Sequence, residues 1–69
     1  MRYEASNVGR NIRKLRLAAG MTRVDLVNAM DTLDPNAVWK YETSKVLPSL
    51  PTLIRLADAL DCSMEDLFC

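Results

Sequence analysis

Apolar residues recur along this chain three and four positions apart, and no stretch alternates apolar with polar as a half-buried strand would. Val8, Ile12 and Leu15 form one such stripe and predict a helix over 7–19, capped by Ser6 or Asn7 and stopped by Gly20. Thr22 opens a second helix with Leu26 and Met30 on its inner face. Thr22-x-x-Asp25 has capping-box spacing, with Asp where Glu is usual. The stretch "DPNAVWKYE" predicts a third helix, about 35–43. There Asp34 can accept from the free N–H groups of a helix start, and Pro35 lacks only an N–H that the first turn leaves unused. Val38 and Tyr41, three apart, point inward, and Asn36, Trp39, Lys40 and Thr43 point elsewhere. Only residues 31–33 separate the second and third helices, so their axes must cross sharply. "SKVLPSL" reads as a loop, because Pro48 disfavours helix at Leu47. Ser49 caps a fourth helix, with Pro51 in its first turn and Leu53, Leu56, Ala57 and Leu60 as the core stripe. After a turn at Asp61-Cys62, the box Ser63-x-x-Asp66 starts a short last helix carrying Met64, Leu67 and Phe68. The expected fold is all-α, a compact bundle of five short helices in one domain over 1–69, with 1–6 a candidate flexible N-terminus.

Two helices joined by a very short turn, the second with polar and aromatic residues outward, physically describe a helix-turn-helix. In that device the second helix lies in the DNA major groove, led by its N-terminal residues. The segments "VGRNIRKLRLAAGMT", "DLVNAM" and "VWKYETSKVLPSLPTLIRLADALDCSMEDLF" resemble the phage-repressor and Cro-like helix-turn-helix family, from Val8 to Phe68. The resemblance implies a lambda-repressor-like DNA-binding domain in which Arg16 and Glu42 form an ion pair joining the first and third helices. It also implies phosphate contacts from Thr22, Arg23, Thr43 and Lys45, and base reading by Asn36, Trp39 and Lys40. Chemically, Asn can pair with adenine and Lys with guanine. Trp39 offers an apolar face to thymine methyls or sugars; folding back onto the domain or entering a protein interface is its alternative. The family usually has Gln where Arg23 stands, and often a polar reader where Pro35 stands.

Three departures from the family pattern bear on placement. The turn "DTL" is one residue longer than usual, with Asp31 in place of Gly, and Val27 stands where the family has Ala or Gly. A bulkier residue and a longer turn are mutually compatible, so a slightly displaced third helix is expected. Ser44 occupies the position after a helix end where a left-handed residue, usually Gly, is common.

Composition narrows function further. The 69 residues, 49% of them hydrophobic, support one core and no second. A domain of this size buries only roughly 60% of its unfolded surface, leaving little room for an enclosed substrate cavity. Histidine is absent, which removes the commonest general base and metal ligand together. Cys62 and Cys69 are too few and too distant for a zinc site, and read as a buried thiol and a terminal one. No activated nucleophile arrangement and no Gly-rich phosphate loop are present, so an enzyme is not expected, nor a cofactor, metal or small-molecule substrate. No apolar run approaches the ~20 residues of a membrane span, and no signal peptide is evident. A soluble, cytoplasmic protein is expected.

Net charge is zero, but its distribution is not even. Residues 1–33 hold Arg2, Arg10, Arg13, Lys14, Arg16 and Arg23 against Glu4, Asp25 and Asp31; the remainder is acidic. The basic half could face an anion while the acidic half faces away. The expected function is sequence-specific binding of double-stranded DNA as a transcriptional regulator, a repressor for want of an effector segment. A homodimer on half-sites roughly 34 Å apart is expected, with the surface around Leu60, Cys62, Met64 and Phe68 as its interface. The alternative is a protein-interaction module that keeps the fold with weak or no DNA binding. Trp39 beside Val46 and Leu47 would then be the anchor.

Overall fold

The computed structural model describes residues 4–30, 32 and 34–68. Five helices, α1 Ala5–Ala18, α2 Arg23–Met30, α3 Ala37–Glu42, α4 Leu50–Ala59 and α5 Met64–Phe68, account for its regular structure, with no strand among the described residues. The stripes read from the sequence meet in one core. Val8 and Ile12 of α1, Leu26 and Met30 of α2, Val38 of α3, Leu53 and Leu56 of α4 and Leu67 of α5 are all buried in it. Each fully buried Leu or Ile contributes about 1.5–3 kcal/mol relative to exposure. α1 packs against both α3 and α5, while α4 packs against α2 and α5.

Helix ends follow local chemistry more closely than spacing alone predicted. α1 begins at Ala5, two residues before the expected start, with Glu4 in extended conformation as its cap. Ser6 and Asn7 therefore lie inside the first turn rather than at the cap. Both capping boxes form reciprocally. The Asp25 N–H donates to Thr22 Oγ1 and the Thr22 N–H to Asp25 Oδ2, at 3.0 and 2.9 Å. Ser63 and Asp66 repeat the arrangement at α5. Ser49 stands at the cap of α4 without a bond to its backbone, because its hydroxyl pairs instead with Thr52 Oγ1.

α3 starts two residues later than "DPNAVWKYE" suggested. Asp34 does accept from the chain ahead, but it does so in a turn: its Oδ1 takes the Asn36 N–H at 2.9 Å and its carbonyl takes the Ala37 N–H. Pro35 sits inside that turn, and the regular helix begins only at Ala37. Asp31 and Leu33, on which the expected longer connection depends, lie outside the described residues, as do Arg2 and Cys69. Val27 is buried in the core.

α1, α3 and α4 end alike. After α3, Ser44 is left-handed at φ 62, its N–H donating to the Tyr41 carbonyl and the Lys45 N–H to that of Lys40. Gly20 and Asp61 take the same conformation after α1 and α4, with the same bond pattern. Ser44 thus adopts the backbone its position calls for, without the residue that adopts it most easily.

Candidate nucleic-acid interface

The third helix is held by one carboxylate. Arg16 is on the same side of α1 as the apolar stripe, and its Nε–H donates to Glu42 Oε2 at 2.7 Å, its Nη2 to Oε1 at 3.2 Å. A third donor of the same guanidinium, Nη1, reaches the Met21 carbonyl at 2.9 Å, tying the α1–α2 turn into the arrangement. Arg23, the first residue of α2, adds its Nε–H to Glu42 Oε1 at 3.3 Å. The Glu42 side chain is 1% exposed and that of Arg16 8%. A buried bidentate pair of this kind fixes geometry, since each charge is costly without the other. Three helices are therefore referenced to a single side chain at the C-terminal end of α3.

Gly9 completes that junction, and spacing alone did not single it out. A Cβ built there would come within 2.4 Å of the Tyr41 carbonyl oxygen and 3.0 Å of that of Glu42. α1 and α3 touch backbone to backbone at this point. The signal was available: a Gly inside a helical pattern costs about 1 kcal/mol against Ala, so it marks a close approach.

With Val38 and Ala37 buried and Tyr41 half-buried, the opposite face of α3 turns outward. Asn36, Trp39, Lys40 and Thr43 share it at i, i+3, i+4 and i+7. Asn36 and Thr43 are exposed, Lys40 is half-exposed, and Trp39 keeps 43% of its surface in water. Trp39 therefore does not fold away into the core. Two side chains on this face are already engaged. Lys40 Nζ donates to Asp34 Oδ2 at 2.8 Å, and the Thr43 hydroxyl donates to the Trp39 carbonyl at 2.7 Å. The Lys40 ammonium, then the Asn36 N–H, hold the Asp34 carboxyl below its ordinary range. Six residues and a turn separate Asp34 from Lys40, so helical spacing could not reveal the pair.

At the start of α2, Thr22 and Arg23 are exposed. Thr22 Oγ1 accepts a bond from the Asp25 backbone N–H. The backbone N–H and hydroxyl of Thr22 hold the Asp25 carboxyl below its ordinary range as well. Arg23, expected at a phosphate, gives its Nε–H to Glu42 while 44% of its side chain remains exposed. Lys45 lies exposed just past α3.

One expectation about the surface needs correction. Leu60 is buried, and Cys62, Met64 and Phe68 pack against the core, so this group is not an open interface. The exposed large apolar side chains near α4 are Val46, Leu47, Leu50 and Ile54. The helical period explains this: Leu50 and Ile54 are four apart on a flank of α4 that turns away from Leu53 and Leu56. The Asn11 side chain donates to the Leu67 carbonyl, and Lys14 and Asp66 line one open groove of about 300 Å³. Cys62 is half-buried, and burial first, then Asp66 and Asp61, push its thiol up. No group of His, Cys, Asp and Glu among the described residues could hold a metal ion, and no helix is long and apolar enough to cross a membrane.

Comparison with known proteins agrees with this geometry. A sequence model of the helix-turn-helix family matches residues 12–67. The chain is 31% identical to the restriction-modification controller protein C.AhdI from Aeromonas hydrophila, with a TM-score of 0.86, covering 93% of this chain and 96% of that one. No curated protein matches. Two helices joined by a short turn, an outward-facing third helix fixed at Glu42, and a family match over most of the sequence lead to one assignment: the chain belongs to the helix-turn-helix family of Cro-like DNA-binding regulators.

Proposed function

We propose that this protein binds double-stranded DNA sequence-specifically and represses transcription, reading the major groove with α3. The observation that carries the proposal is the shared outward face of Asn36, Trp39 and Lys40, on a helix whose orientation Glu42 fixes from α1 and α2. Asn36 offers an amide for adenine, Lys40 an ammonium for guanine, and Trp39 an apolar face for thymine methyls. Thr22 and Arg23 approach a phosphate at the start of α2, where the positive end of a helix favours an anion, and Thr43 and Lys45 approach another past the end of α3 through a hydroxyl and an ammonium. Similarity to a restriction-modification controller protein supports a regulatory role of the same general kind.

One small domain reads few base pairs, so the proposal includes a homodimer on two half-sites. Its interface draws on the exposed apolar side chains Val46, Leu47, Leu50 and Ile54. Sedimentation with and without duplex tests this part separately.

Binding tests separate reading from positioning. Lys40→Ala should lose about 1–3 kcal/mol on the preferred duplex and relax base preference. Arg23→Ala should weaken all sequences alike and flatten the salt dependence by about one counterion. A uniform loss from both changes would make Lys40 a phosphate contact only. The exposure of Trp39, Val46 and Leu47 supports the second reading, a protein-interaction module. The two readings differ in salt response, because phosphate contacts release counterions and an apolar interface does not.

A further inference from the structure

We infer that Asp34 is a specificity-determining residue: it holds the reading side chain Lys40 and releases it only to a base that replaces the carboxylate. The inference rests on the DNA-binding reading above and adds to it a residue that reads no base while the pair is closed. Asp34 uses its two oxygens differently. Oδ1 is fixed to the Asn36 N–H, and Oδ2 receives Lys40 Nζ. Because Oδ1 is anchored in the turn, Asp34 stays in place when Lys40 leaves. Its freed oxygen then faces the nucleic acid as a bare anion.

Both side chains are 42% exposed, so the pair is open to exchange, unlike the buried Glu42 pair. On a duplex with no guanine at the right place, Lys40 gains at most a phosphate contact and leaves an unpaired carboxylate near other phosphates. The closed pair is then the better state, and Lys40 contributes no counterion release. Where guanine presents O6 and N7, and a neighbouring amino group of cytosine or adenine can meet Oδ2, both ends of the pair find partners. The consequence is discrimination through suppression of non-specific binding rather than through added contacts.

Asp34→Asn provides the test, because an amide oxygen can still accept the Asn36 N–H while the charge that holds Lys40 is gone. Two probes are needed: a mixed-sequence duplex, and a duplex that the wild-type protein selects from a random pool. D34N should bind the mixed duplex about three- to tenfold more tightly, with a salt slope steeper by up to about 0.9. It should gain less on the selected duplex, so the ratio of the two affinities shrinks. An equal gain on both duplexes would mean general relief of repulsion and would overturn the inference, as would no gain at all. Without DNA, the Asp34 carboxyl followed by NMR should titrate closer to its ordinary value in Lys40→Gln; an unchanged titration would also overturn it. If neither wild type nor D34N retains any duplex at low salt, the DNA-binding reading itself falls and takes this inference with it.

Discussion

Two carboxylates hold α3 through ion pairs, and the two arrangements differ in almost every respect. At the C-terminal end, Glu42 is 1% exposed and takes donors from Arg16 and Arg23. Ahead of the helix, Asp34 takes Lys40 of its last turn; each side chain is 42% exposed and the two form one bond. Solvent makes the difference. A buried carboxylate has nowhere else to turn, so its partners become part of the framework. An exposed pair is worth about 0–1 kcal/mol and exchanges its partners readily. One carboxylate thus fixes the helix to the body while the other holds a group that can be given away. A reading helix needs both properties, and carboxylate–cation pairs of different burial supply them.

Breaking the buried end should have the largest effect. Glu42→Ala leaves the Arg16 guanidinium without its carboxylate, and should cost about 3–5 kcal/mol of stability in urea unfolding. A loss below about 1 kcal/mol would place Arg16–Glu42 among ordinary surface pairs. Gly9→Ala tests the same junction from the backbone. Helix propensity alone would stabilise the variant by about 1 kcal/mol. The contact with the Tyr41 carbonyl instead forces α1 and α3 apart and should destabilise by about 1–3 kcal/mol. The sign of the change in thermal midpoint decides between them.

Ser44→Gly acts where the framework ends. It removes the left-handed strain of a non-Gly residue at φ 62 and should raise stability by about 0.5–1 kcal/mol after the added freedom of the unfolded chain is counted. A thermal melt that falls instead would show that the Ser side chain contributes more than its backbone costs. Smallest is the acid response of the exposed groups. Asp34 and Asp25 are both held below their ordinary range by their hydrogen bonds. Their contribution is therefore complete above about pH 4, the unfolded carboxylate value, and fades as pH falls through the lower folded values. Side-chain carboxyl NMR should show both titrating below that point, and titration above it would contradict the hydrogen bonds described here.

The fold was legible in the sequence because burial leaves a period. Val8 and Ile12, or Leu53, Leu56 and Leu60, repeat at helical spacing for no reason except that one face is dry. Capping boxes were legible for a similar reason, since Thr22 with Asp25 and Ser63 with Asp66 act within one turn. The resemblance to Cro-like regulators pointed to the Arg16–Glu42 pair, 26 residues apart, and the coordinates form it. The hold of Asp34 on Lys40 and the sharing of Glu42 with Arg23 left no such trace. They depend on side-chain reach across a turn and between helices, which no period encodes. The expected interface around Leu60 and Phe68 drew on a residue that the α4 core stripe already claimed, and the exposed Leu50 and Ile54 on the same helix went unremarked.

Trp39 gives the most direct test, being the chain's only tryptophan and exposed on the proposed reading face. Its emission should change on titration with duplex DNA at low salt, and the change should weaken steeply as salt rises. Emission unmoved by DNA, while the protein remains folded, would contradict the placement of α3 in a groove.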